Sequence, residues 1–153
     1  MPEILHQLVI DVPPPATFDA ITQQSGLSSW WTTDAKAEPK VGSIAEFGFN
    51  GRSIVFDIRV VALDRPNFVR WHCLTGHPEW CNTDLIFALS SRKGATLLRF
   101  AHRGWEFSDG ILAQCSYDWA RYLASLKSYL ETGTGSPHVS PAAPEDLTLP
   151  AKR

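Results

Sequence analysis

The stretch from Ser108 to Gly133 constrains this chain more than any other. Ile111, Leu112, Cys115, Trp119, Tyr122, Leu123, Leu126 and Leu130 recur at intervals of three and four, which places them on one wide apolar stripe of an α-helix. Ser108 is positioned to cap the first free amides and Asp109 favours the positive end of the helix dipole. Gly133 supplies the left-handed residue that commonly closes a helix. Such a helix is ~35 Å long at ~1.5 Å per residue, enough to cross a small domain. A stripe of that length must cover something, and the preceding residues have to supply it.

What they supply reads as a sheet. Residues 4–12 alternate, with Ile4, Leu8, Ile10 and Val12 on one face, until Pro13, Pro14 and Pro15 end the strand. Residues 15–23 read as a short helix burying Phe18 and Ile21, with Gly26 as its breaker. Residues 27–31 make a second short helical turn that ends in Trp30 and Trp31. From Val41 onward the period is two. Strands are expected over 43–49, 52–63, 68–75, 83–89 and 95–102, and Asn50-Gly51 signals a tight hairpin. In the last strand Arg99 marks the solvent face, so His102 is expected to look inward. Six strands joined by short turns imply an antiparallel meander and an α+β fold.

A chain of 153 residues is expected to form one domain, here over 1–133. Beyond Gly133 the composition shifts to Gly, Ser, Thr, Pro and Ala without any period. Residues 134–153 therefore read as a flexible Pro/Ala-rich tail, with Leu147 and Leu149 as apolar anchors that leave a homodimer open. The net charge of -2 gives no basic field, so neither nucleic acid nor an anionic membrane is an expected partner. No apolar run approaches the ~20 residues needed to span a bilayer. Cys73, Cys81 and Cys115 are odd in number and irregular in spacing, with no signal peptide ahead of them, which points to the reducing cytoplasm.

With these elements in order, the chain resembles the START-like or Bet v 1-like superfamily, and within it the proteins similar to the activator of the Hsp90 ATPase. The residues that carry the resemblance are Val12 to Ala20, Leu27-Ser28-Ser29-Trp30-Trp31, Lys40-Val41-Gly42-Ser43, Val69-Arg70-Trp71 and Gly94 to Leu98. Trp119, Leu123, Leu126 and Tyr129-Leu130-Glu131 complete them. The chain departs from the family pattern at Asp118, where a glycine is frequent, and in the elaborate segment His77 to Cys81. The resemblance implies a helix-grip fold, in which a curved six-stranded sheet wraps the long helix and leaves a cavity. A strongly curved sheet cannot pack flush along a straight helix, so large side chains or a ligand must fill the gap.

The expected occupant is a small, mainly apolar molecule. Trp30, Trp31, Phe47, Phe56, Trp71, Phe87, Phe100, Trp105 and Trp119 are the aromatic candidates to line the cavity, although the same rings could simply fill a core. His102, Tyr117 and Tyr122 are the inward polar candidates. An alternative is acid-base turnover of the cyclase or dehydratase kind, with His102, Glu79 and Tyr122 as candidate catalytic groups. Another is contact with an Hsp90-type chaperone, as the family name suggests. His72, Cys73, His77, Glu79, Cys81, His102 and Glu106 show no recognised metal-ligand spacing, so no metal is expected. With no phosphate-binding or cofactor motif, no cofactor is expected either.

Overall fold

The alternating stretches pair into one antiparallel sheet in the computed structural model, which describes residues 1–140. Its strands are β1 (Ile4–Ile10), β2 (Ala35–Lys36), β3 (Ile44–Phe49), β4 (Ile54–Asp64), β5 (Phe68–Thr75), β6 (Asp84–Arg92) and β7 (Ala95–Arg103). They lie in the order β1-β7-β6-β5-β4-β3-β2. Helices α1 (Pro14–Thr22) and α2 (Gln24–Trp30) follow β1, and α3 (Leu112–Thr132) follows β7. The sheet has seven strands, not six: β2 only pairs Ala35 with Phe47 and Lys36 with Glu46, too short a run to show a period. Among the described residues no helix is long and apolar enough to cross a membrane.

The β4–β5 register slips after Asp57 and again after Val60, and bulges of this kind bend a strand and increase its twist. Its inner face carries Phe56, Ile58 and Val60 from β4, Trp71 and Cys73 from β5, Leu85 and Phe87 from β6, and Leu98, Phe100 and His102 from β7, all buried. Against them α3 buries Trp119, Leu123 and Leu126, with Ile111, Leu112, Cys115, Tyr122 and Leu130 half-buried on the same stripe.

Three local expectations change. The break between α1 and α2 falls at the extended Gln23, and Gly26 lies within α2. A Cβ there would stand 2.5 Å from the carbonyl oxygen of Ala20, so glycine permits the close approach of the two helices. Helix α3 begins at Leu112, and Ser108 does not cap it. The carboxylate of Glu79 accepts the Ile111 N–H at 3.2 Å instead, arriving from a distant turn that local sequence cannot announce. At the other end Gly133 closes the helix with φ 88°, as read from the sequence.

Residues 134–140, expected to be flexible, are fastened across the fold. The His138 N–H donates to the Trp31 carbonyl at 2.8 Å, and the Thr33 N–H donates back to the His138 carbonyl at 3.0 Å. The Ser136 N–H donates to Ser125 Oγ at 2.7 Å. Leu147 and Leu149 lie outside the described residues.

Candidate ligand cavity

A cavity of about 290 Å³ lies between the β3–β4 hairpin and the first half of α3. Helix α3 contributes Cys115, Asp118, Trp119 and Tyr122, and Ile111 just before it adds to the same face, since the spacings are three and four. Phe49, Asn50, Ile54 and Phe56 come from the hairpin, Trp31 from the end of α2, and His138 from the segment that crosses back over it. His77 and Trp80 come from the β5–β6 connection, where Pro78–Trp80 form a short 3-10 turn. The walls are therefore mostly rings, with a few polar groups, as is usual for small-molecule sites.

Hydrogen bonds hold several of the polar groups near the cavity in place. The indole N–H of Trp80 donates to Cys115 Sγ at 3.4 Å, and burial raises the Cys115 thiol above its ordinary range. Burial also raises Tyr122, with the Asp118 carboxylate adding to the effect. The His138 ring lies tilted against that of Phe49 with centroids 5.1 Å apart, and its Nε2 accepts the Asn50 N–H at 3.1 Å. Asp118 Oδ1 accepts from the Gln114 amide at 3.1 Å.

Of the residues chosen from sequence, Trp31, Phe56, Trp119 and Tyr122 line the cavity. Phe47, Trp71, Phe87 and Phe100 lie deeper, where they fill the core: Phe47 sits 4.4 Å from the Trp31 ring and Phe100 4.5 Å from Trp119. Trp30 stacks behind Trp31 and donates its indole N–H to the Ala20 carbonyl at 2.8 Å. Trp105 is fully buried against His102 and does not line the cavity, and its indole N–H has no partner among the described residues. Tyr117 is a correction. It is 62% exposed on the outer side of α3, beneath the Arg121 guanidinium, because its position falls off the apolar stripe.

His102 does point inward, but into a closed network. Its Nδ1 accepts the Trp119 indole N–H at 3.2 Å, and its Nε2 lies 2.8 Å from Thr83 Oγ1. Since that hydroxyl donates its proton to the Trp80 carbonyl at 2.6 Å, it must accept from Nε2, which fixes one neutral tautomer. Burial pushes His102 down to about 3. No ring nitrogen is left for a substrate. Glu79 is committed to the start of α3.

Sequence reasoning missed Phe49, Asn50, Ile54, His77, Trp80, Ile111, Cys115, Asp118 and His138. For Ile111 and Cys115 a signal existed, since they precede Trp119 on its own stripe at intervals of four. Trp80 and His138 lie in irregular segments, where no period reports which way a side chain faces.

A curved antiparallel sheet gripping a C-terminal helix, with a cavity between the two, defines a helix-grip domain. The chain belongs to the activator of Hsp90 ATPase homolog 1-like protein family, whose model matches residues 11–131. It is similar to the Aha1 dimer from Colwellia psychrerythraea, solved in solution, with 34% identity, a TM-score of 0.81, and coverage of 88% of this chain and 100% of that one. The fold is shared with MLL2253 from Mesorhizobium loti at 19% identity and TM-score 0.77, covering 85% of this chain and 97% of that one. It is shared also with SSP2350 from Staphylococcus saprophyticus at 15% identity and TM-score 0.75, covering 90% and 98%. No curated protein sequence matches the chain significantly.

Proposed function

We propose that the chain binds a small, mainly apolar molecule in this cavity. The observation that carries the reading is an aromatic-walled space of about 290 Å³ left open in a core whose other rings touch one another. Small-molecule sites begin at about 300 Å³, so the occupant is compact, of one or two rings. The three free thiols fit a reducing compartment, and the cytoplasm is part of this reading. Native mass spectrometry of protein purified from its host tests it, together with thermal-shift screening of aromatic and acyl compounds. A retained molecule, or a raised melting temperature, is expected; neither appearing across the library contradicts the reading.

Turnover in the same cavity draws less from the geometry, because Tyr122 is the one of its three candidates that reaches the cavity. The chaperone alternative rests on the family description alone. Self-association has one specific support, the dimer formed by the 34% identical relative. Light scattering of the pure protein at two concentrations tests it, with twice the chain mass expected and a constant monomer mass contradicting it.

A further inference from the structure

The cavity wall also limits the charge of its occupant. The rings of Trp31, Phe49, Phe56, Trp80 and Trp119 form a closed circuit, each touching the next. Centroid separations run 5.8 Å from Trp31 to Phe49, 5.8 Å to Phe56, 4.2 Å to Trp80, 6.1 Å to Trp119 and 5.2 Å back to Trp31. Aromatic faces carry partial negative charge and attract a cation placed within ~6 Å of the ring centre.

The carboxylates around the circuit favour a positive occupant, opposed at Tyr122 by the Arg121 charge, and the two imidazoles that line the cavity, His77 and His138, each use one ring nitrogen to accept a backbone N–H, from Glu79 and Asn50. Among the described residues no arginine or lysine lines the cavity, and its one carboxylate is Asp118. Asp118 receives a single neutral hydrogen bond, from Gln114, and is in none of the ion pairs seen among the described residues. Arg121, three residues on, is turned onto the exposed Tyr117 ring 5.8 Å away. Cys115, beside Asp118 on the cavity wall, feels the same carboxylates. After burial and the opposing Trp80 hydrogen bond, the Asp118 and Glu79 carboxylates both push its thiol upward. An anionic ligand would lose its hydration here and find no arginine or lysine among the described lining residues to replace it.

We infer that the cavity takes an organic cation, a compact molecule whose ammonium group lies within the five-ring circuit and faces Asp118 while its apolar body fills the remaining space. This rests on the ligand-binding reading above and narrows it. A quaternary ammonium suits the site best, because it needs no hydrogen-bond acceptor beyond the ring faces and one carboxylate.

Three probes of similar shape separate the possibilities: phenyltrimethylammonium, its neutral carbon counterpart tert-butylbenzene, and the anion benzenesulfonate. Each is titrated into the full chain and followed by tryptophan fluorescence. The cation should bind at least ~10-fold more tightly than the neutral probe, in line with a desolvated cation–π contact. The anion should bind most weakly. D118N should lower the cation-to-neutral affinity ratio about fivefold or more while the melting curve keeps its cooperative shape. If the neutral or anionic probe binds as tightly as the cation, or D118N leaves the ratio unchanged, the charge assignment is overturned and the cavity remains a binding site. If none of the three binds at millimolar concentration, the cation inference and the ligand-binding reading fall together.

Discussion

Trp119 and His102 are joined by a buried hydrogen bond, with the indole N–H donating to Nδ1 at 3.2 Å, so the helix and the last strand share one neutral imidazole. Burial holds that imidazole down to about 3, against an ordinary value near ~6.5. As pH falls below ~6.5 the unfolded chain takes up a proton that the folded chain refuses until about 3. Stability from this group is therefore full above ~6.5 and is lost at ~1.4 kcal/mol per pH unit on the way down. Urea unfolding at pH 7, 6 and 5 should show that slope in the parent and a shallower one in His102→Gln. Equal slopes would contradict it.

Replacing Trp119 separates its ring from its N–H. Trp119→Ala should cost about 3 to 5 kcal/mol, because the ring is 2% exposed and leaves a large void. Trp119→Phe keeps most of the ring but strands His102 Nδ1 without a donor, which should cost about 1 to 3 kcal/mol. Denaturant midpoints give both values, and a neutral Trp119→Phe would show that the hydrogen bond contributes nothing.

The strands and the apolar stripe of α3 were legible in the sequence because a half-buried strand and an amphipathic helix each impose a period. Phe56, Ile58 and Val60 all face inward as the alternation in β4 requires. The cavity was legible only in part. Periodicity shows that a side chain faces the core, not whether an atom lies against it, so Phe87 and Phe100 read the same as Phe56 although only Phe56 reaches the cavity. Trp80 and His138 close the cavity from aperiodic segments, and their positions follow from contacts between residues far apart in sequence. The Glu79 cap on α3 escapes local reading for the same reason.

Gly26→Ala should destabilise the domain by about 1 to 3 kcal/mol, measured by thermal or urea unfolding. The new methyl would press on the Ala20 carbonyl oxygen, 2.5 Å away, which also accepts the Trp30 indole N–H at 2.8 Å. Trp30 in turn stacks behind the cavity residue Trp31. A stabilised variant would show that glycine is not required there.

Ser125 anchors the segment that crosses back over the cavity. Its buried hydroxyl donates to the Trp30 carbonyl at 2.9 Å and accepts the Ser136 N–H at 2.7 Å. Ser125→Ala should cost about 1 to 3 kcal/mol. It should also speed hydrogen exchange at the Ser136 and His138 amides more than at β6. Unchanged exchange at those two amides would mean the segment is held by other contacts.

The occupancy of the cavity is tested most directly by the indole N–H signals of the six tryptophans, followed by NMR while a neutral two-ring probe, 2-naphthol, is titrated in. Trp31, Trp80 and Trp119 line the cavity, whereas Trp30, Trp71 and Trp105 lie behind it. Saturable shifts at the first three, with the other three nearly still, are the predicted result. No shift at millimolar probe, or shifts confined to Trp30, Trp71 and Trp105, would contradict a binding site between the hairpin and α3.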